Sequence, residues 1–484
     1  MLAGGCSTIE NSREQKAELM HEYSTGEYNS AVSTVKDKAS SSDGTGDELM
    51  WRLEEGTILF EAGDYKKSLD TFDRAQYIIN SYNDRAEINA RAVGAEIASA
   101  FTNPNAVPYK GFTYGKILLN IYKALDYFAL GDSQDACVEL RIAYQKQFTA
   151  AQEFNKRLEH YKEEVSESNQ KANTDVNFDG LLENPKISES YNEIVEKSNK
   201  NYGNLVNPFV TFMTGIGYLS ESDFQNAYIS FKNLTMMVPE NKLIEEDFVT
   251  IALDAGYNQP SFLENIKPLN YPLNKNILFV IYAGGLAPAL KEEKIQLVLP
   301  FVGYTGFAYP TLQYFPLELS NVEVSYDGKK YVTTTVSDMD AVVSQEYKQL
   351  LPLIITRIAI STITKELASA AAVEAAYQVG KAAGDTSNTT AMLGGNLSGL
   401  AAMAITGIYK YTFNTADTRC WQTLPKIYQI TQIPIVKKGK IMVNSQKQYT
   451  NTVDSFEIEP DGKMYILYLR APKDRITDAK LFQF

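Results

Sequence analysis

Histidine is almost absent from this chain: His21 and His160 are the only two in 484 residues. Both lie in stretches of helical periodicity with polar neighbours, the setting of a surface or packing residue rather than a catalytic base. Cysteine is scarce as well. Cys6, Cys137 and Cys420 lie far apart and no Cys-x-x-Cys occurs, which argues against a zinc site. Cys137 falls mid-helix among apolar neighbours, as a small core residue does. The chain lacks a Gly-x-Ser-x-Gly elbow, a Walker loop and a His-Glu-x-x-His pair. Gly284-Gly285 follows an apolar run but has no Lys-Ser/Thr to engage phosphate, so a turn is the simpler reading. With 59 carboxylates and none singled out by its surroundings, no catalytic residue, metal or cofactor is assigned and no enzyme activity is expected. A positive balance is missing too. The net charge of −13 speaks against nucleic acid and against a polybasic hold on anionic lipid.

What the chain has in quantity is tyrosine and phenylalanine, 31 and 22, within a composition 44% hydrophobic and 22% charged. That suits sizeable cores spread over two to four domains. At the start, Leu2-Ala3-Gly4-Gly5-Cys6-Ser7 looks like a bacterial lipoprotein cleavage box. Small residues precede the cut, and the Cys6 thiol would carry the lipid. The alternative is a free cysteine in a polar terminus. Residues 1–18 are then a cleavage box and linker, and Ser7, in place of an aspartate, favours the outer membrane over the inner.

Residues 19–260 repeat themselves. In Glu48–Asn80, the positions Gly56, Leu59, Gly63, Tyr65, Ser68, Phe72 and Ala75 fall at tetratricopeptide offsets. Gly26-Glu27-Tyr28 opens an earlier copy, and Ala124, Tyr127, Gly131, Ala136, Leu140 and Ala143 a later one. Gly215, Tyr218, Phe224, Ala227, Phe231 and Leu234 make another. Between these, residues 145–201 read as a long solvated helix followed by a polar loop over 168–201. In such an array the first helix of each pair lines a concave face. That places Leu53, Phe60, Ile121, Phe128, Phe209, Phe212 and Ile216 on the inner side, as a lining for an apolar peptide or as residues buried by neighbouring repeats or the long helix.

Near residue 260 the period changes. Ile277–Tyr282, Ile295–Leu299, Val322–Tyr326, Lys329–Val336, Lys426–Val436 and Lys440–Val443 read as strands, and Ser455–Glu459 with Met464–Arg470 as a closing hairpin. The fold class is therefore α+β: an all-α tetratricopeptide-like solenoid, then a mainly antiparallel β domain over 270–484. Inserted at 347–410 is a helical hairpin rich in small residues. Its first helix, Tyr347–Gly384, carries Ala368, Ala372, Ala376, Gly380 and Gly384 at four-residue spacing, and Pro352 is read as lying in its first turns. Ala391–Tyr409 has no charge, so membrane contact stands beside tight packing as a reading.

The run Ala416-Asp417-x-Arg419-x-Trp421-x-x-Leu424-Pro425, with Ala136–Arg141 and Asn207-Pro208-Phe209-Val210, resembles an uncharacterised family of bacterial tetratricopeptide-repeat lipoproteins. The chain departs from it in having Cys420 where a serine is expected. The resemblance implies a cell-envelope lipoprotein acting with other envelope proteins or lipoproteins, held to the membrane by its lipid. It implies no known chemistry. Asp417, Arg419 and Trp421 are read as structural, with partner binding as the alternative. The expectation is an outer-membrane-anchored periplasmic scaffold or assembly factor, with a second copy of the chain as a further candidate partner. The alternative is a surface lipoprotein that captures a glycan or nutrient for a transporter.

Overall fold

Four helix ends in the N-terminal half close by one local geometry that the sequence dictates. Gly26, Gly63, Gly131 and Ser222 take the left-handed conformation, with φ of 83°, 82°, 79° and 59°, which the three glycines adopt without a Cβ clash. At each, the next residue returns its amide to a carbonyl five back: Glu27 to Glu22, Asp64 to Leu59, Asp132 to Tyr127 and Asp223 to Tyr218, at 2.8–3.0 Å. Asp132 and Asp223 then cap the following helix, accepting from the amides of Asp135 and Asn226. One turn chemistry therefore both ends a helix and starts its partner.

The computed structural model describes residues 16–88, 107–200, 202–203, 205–299, 303–382, 415–445 and 455–483. The chain is α+β, with helices N-terminal and sheets C-terminal. The first helices are α1 (16–25), α2 (Tyr28–Ser41), α3 (Glu48–Glu61), α4 (Tyr65–Ile88), α5 (Thr113–Ala129) and α6 (Ser133–Ala172). After these come the single turn α7 (Phe178–Leu181), α8 (Pro185–Lys197), α9 (Pro208–Ser220), α10 (Phe224–Met237) and α11 (Lys242–Asp254). Consecutive helices pack as hairpins with close approaches at fixed offsets. A Cβ at Gly56 would stand 2.6 Å from the Phe72 ring, and one at Gly215 the same distance from Phe231. Ser68 locks the first pair by donating to the Gly56 carbonyl at 2.9 Å.

Two expectations change here. The long helix is the second helix of the third pair, continuous from Ser133 to Ala172 and ended by Asn173 at φ 51°. The polar stretch over 168–201 is not a loop: Asn177 and Asn184 cap α7 and α8, and Pro185 occupies the first turn of α8. Only Ile187 and Ile194, two turns apart, are buried on α8, too sparse a stripe to stand out among charges.

The C-terminal half supplies strands β1 (Ile277–Gly284), β2 (Ala289–Leu299), β3 (Gly303–Gln313), β4 (Val322–Tyr326), β5 (Lys329–Val332) and β6 (Thr334–Asp338). Beyond helix α12 (Met339–Ala382) come β7 (Ile427–Pro434), β8 (Gly439–Ser445), β9 (Ser455–Ile458), β10 (Met464–Ala471) and β11 (Asp478–Gln483). A five-stranded sheet has the order β11-β10-β1-β7-β6, with β1 and β10 parallel and its other pairs antiparallel. A four-stranded sheet, β5-β4-β8-β9, lies behind it, and β2 and β3 form a separate ribbon. The expected β9–β10 hairpin is absent: β9 pairs with β8 and β10 with β1, so Pro460-Asp461-Gly462 is a corner between sheets.

The five-stranded sheet is apolar on both faces, so β1 and β10 are buried at every position. Ile277, Phe279, Ile281, Met464, Ile466, Tyr468, Tyr428 and Ile430 belong to one continuous core with the helices. Leu278, Val280, Tyr282, Leu467 and Leu469 face the second sheet with Val322, Val324, Ile441 and Val443. The result is three layers: helices, sheet, sheet. Although 19–260 and 270–484 differ in secondary structure, they share this first core.

Helix α12 starts at Met339, so Pro352 lies inside it rather than in its first turns. Among the described residues no helix is long and apolar enough to cross a membrane. Cys6 and the second hairpin segment, Ala391–Tyr409, lie outside the described residues.

Candidate functional site

The seven residues expected to line an inner face are covered by the chain itself. Leu53, Phe60, Ile121, Phe128, Phe209, Phe212 and Ile216 are each 0–2% exposed. For three of them the five-stranded sheet supplies part of the cover. Phe209 stacks on Tyr428 at 3.8 Å between ring centroids, Phe212 meets Phe279 at 6.0 Å, and Phe60 meets Tyr468 edge-on at 5.3 Å. A peptide can stack on these three rings only if the sheet leaves.

The Asp417–Trp421 motif fastens the two halves. Asp417 grips Arg419 through both carboxylate oxygens, at 2.8 and 2.6 Å. The guanidinium also donates to Asp47 Oδ1 and to the Val107 carbonyl, both at 2.8 Å. Trp421 is 1% exposed, its indole N–H shared between Thr57 and Thr423 hydroxyls at 3.0 Å. Its ring packs on Phe72 and Tyr122. Beside it, Glu54 of α3 accepts the backbone amides of Gln422 and Thr423 at 2.7 and 3.1 Å and the Thr423 hydroxyl at 2.8 Å. Burial pushes the Glu54 carboxyl upward despite Lys16 and these donors. Glu346 of α12 does a similar job at the other end. Its two oxygens accept the first amides of α5, Thr113 at 2.9 Å and Tyr114 at 3.2 Å, replacing an absent N-cap side chain.

A second buried cluster centres on Arg470. Its guanidinium donates to the carbonyls of Ala283, Gly285 and Thr423 and to the Tyr23 hydroxyl, at 2.8–3.3 Å. Glu61 stands 3.9 Å from its Nε and accepts from Tyr468 at 3.2 Å. Burial pushes the Glu61 carboxyl up, against the pull of Lys480 and Arg470, and lowers Lys480 to about 8. Beside Glu61 and Lys480 lies a cleft of about 320 Å³ whose lining includes Tyr65, Ala129 and Phe482. The Lys480 ammonium crosses it to the Glu61 carbonyl at 3.0 Å, which leaves the cleft bridged by the chain's own cation.

Asp247 of α11 is another carboxyl at the helix–sheet boundary. It is 0% exposed, takes one hydrogen bond from Gln432 of β7 and leaves Oδ2 without a partner. Burial raises its pKa to about 8, against the Gln432 hydrogen bond. An acid raised this way favours the fold below its unfolded value near 4, and that contribution is lost as pH rises through about 8. Asp247→Asn is therefore expected to flatten this fall. In urea unfolding, the stability difference between variant and parent shifts in favour of the variant from pH 5 to pH 8; an unchanged difference would show an ionised carboxylate in the fold.

Sequence reading missed Glu54, Glu61, Glu346 and Arg470. The available signals were carboxylates at the core phase of α3 and an arginine closing the apolar run Met464–Ala471. Neither histidine joins a cluster of catalytic type; His160 pairs with Glu164 on α6 at 3.0 Å. Among the described residues no group of His, Cys, Asp and Glu could hold a metal ion. Comparison with protein families, characterised proteins and solved structures finds no match to this chain.

Proposed function

We propose that this protein is a non-catalytic scaffold of the cell envelope, tethered to the outer membrane through lipid on Cys6 with its body on the periplasmic side. Its N-terminal half is read as a tetratricopeptide-type array. Support for that reading comes from the repeated left-handed turns and the equal Gly56–Phe72 and Gly215–Phe231 approaches. The observation that carries the function is the filled inner face. An array whose concave side is occupied by its own sheet is a rigid block, and a rigid block engages partners with its outside. Outward apolar residues are available on the outer helices: Tyr77, Phe148 and Met236 are 60–64% exposed. Partners of this kind are other envelope proteins or a second copy of the chain.

Native detergent extraction followed by size analysis and mass spectrometry tests it. The expected result is recovery in an assembly with other envelope proteins, lost for Cys6→Ala. Recovery as a lipid-modified monomer would contradict the scaffold reading. One observation favours the second reading, ligand capture at the surface. Phe262 (67% exposed) and Tyr257 (45%) lie on the segment after α11, packed against Phe248 and Tyr228 respectively, and offer rings on which a sugar can stack. A monomer that binds oligosaccharide, and loses it on Phe262→Ala, would establish that reading instead.

A further inference from the structure

In a chain of net charge −13, one place gathers three cations around a single close carboxylate, Glu346, 3.7 Å from Arg157. Lys116 of α5 and Lys146 and Arg157 of α6 meet where α5 runs back along α6. Lys146 sends its ammonium to neutral acceptors only: Gln76 Oε1 at 2.8 Å, Asn120 Oδ1 at 2.7 Å and the Lys116 carbonyl at 3.4 Å. Arg157 donates Nη2 to the Thr113 hydroxyl at 2.8 Å and lies over the Phe154 ring at 5.4 Å. Its Nε and Nη1 have no hydrogen-bond partner among the described residues. The Lys116 ammonium, half-buried between them, has neither a hydrogen bond nor an ion pair there.

The nearby carboxylates are committed or exposed. Glu346, 3.7 Å from Arg157, spends both oxygens on the α5 amides. Glu139 is held by Lys123 and Asn120, and Glu153 points to solvent. Burial lowers Lys116 to about 8, and Arg157 and Lys146 add to that. An unpaired, partly desolvated ammonium beside a guanidinium with free donors is costly to the fold unless an anion joins it.

We propose that Lys116, Lys146 and Arg157 form a binding site for an oxyanion, a phosphoryl or a carboxylate group of a ligand. The free Arg157 donors give the planar recognition that such groups take, and Lys116 adds a point charge. The lining amides of Gln76 and Asn120 supply polar edges at the Lys146 end. This site is separate from the inner face and from the Arg470 cluster, and it stands whether or not the scaffold reading holds.

The test uses the full chain at low ionic strength near pH 7, with sodium phosphate and sodium acetate as probes and sodium chloride as the control. The expected result is a saturable rise in melting temperature with phosphate or acetate beyond that with chloride, and matching heat in calorimetry. Phosphate ahead of acetate assigns a phosphoryl group; the reverse assigns a carboxylate. Lys116→Gln is expected to weaken the anion about tenfold. Without anion the same variant should melt at or above the parent temperature, because it removes an unpaired ammonium. That crossover separates loss of binding from loss of fold, and Arg157→Gln provides a second variant for the binding arm. Absence of a saturable effect with either anion, or equal binding by Lys116→Gln, would overturn the proposal.

Discussion

Arg470→Met is expected to destabilise the protein by about 3–5 kcal/mol, the cost of breaking a buried charge cluster by removing one member. The guanidinium is 0% exposed, and its removal takes a donor from the Ala283 and Gly285 carbonyls and from the Tyr23 hydroxyl, which keeps only its own bond to the Thr423 carbonyl. It also leaves Glu61 with the Lys480 ammonium as its near cation, and Glu61 Oε2 already has no hydrogen-bond partner. Neutralising that carboxyl as well, in Arg470→Met with Glu61→Gln, should cost less than the two single changes added together, because the second change removes the charge that the first exposed. Urea unfolding of the four proteins measures both effects. A single-variant loss below about 1 kcal/mol would place Arg470 outside the joint between the halves.

The second large effect concerns the motif. Trp421→Ala is expected to cost about 3–5 kcal/mol, the range for emptying a fully buried aromatic site. Phe72, Tyr122 and the Thr57 hydroxyl would face the void. Trp421→Phe keeps most of the apolar contact but leaves the two threonine hydroxyls without their donor, so a loss of about 1–3 kcal/mol is expected. This ordering, Ala well below Phe and Phe below the parent, follows from a ring that holds the two halves together. A tryptophan that served a partner instead would leave unfolding unchanged in both variants and alter only what copurifies.

Much of the helical half was legible because its signals are local. The Gly63, Gly131 and Gly26 turns, the close approach of Gly56 to Phe72 and the capping aspartates each declare themselves within one hairpin. The apolar side of these helices was legible too. Its cover was not, for a physical reason: Phe279, Tyr428 and Tyr468 alternate along their strands as any sheet core does, and that alternation does not say which surface the sheet will meet. Strand β3 was hidden by Gly303, Gly306 and Pro310, residues that ordinarily end strands but are accommodated in a two-stranded ribbon. β11 was hidden by its polar sequence, Asp478-Ala-Lys-Leu-Phe-Gln483, at an edge of the sheet. The joint was the least legible part. Glu54 sits at the core phase of α3 and Glu346 reads as an ordinary helical charge, but only the long-range fold brings them to amides more than two hundred residues away.

Because helices and sheet share one core, the two halves are expected to fold and unfold as one body. The most direct measurement is chemical unfolding of the full chain followed by two signals at once. Trp51 and Trp421, the only tryptophans, are 4% and 1% exposed in the shared core, so their fluorescence reports its opening. Far-ultraviolet circular dichroism is dominated by the helices. Both signals are expected to change in one coincident transition with a single midpoint. If the tryptophans become solvent-exposed in an early step while the helical signal persists to higher denaturant, the sheet is a separable lid over an open groove, and the account of a filled inner face is wrong.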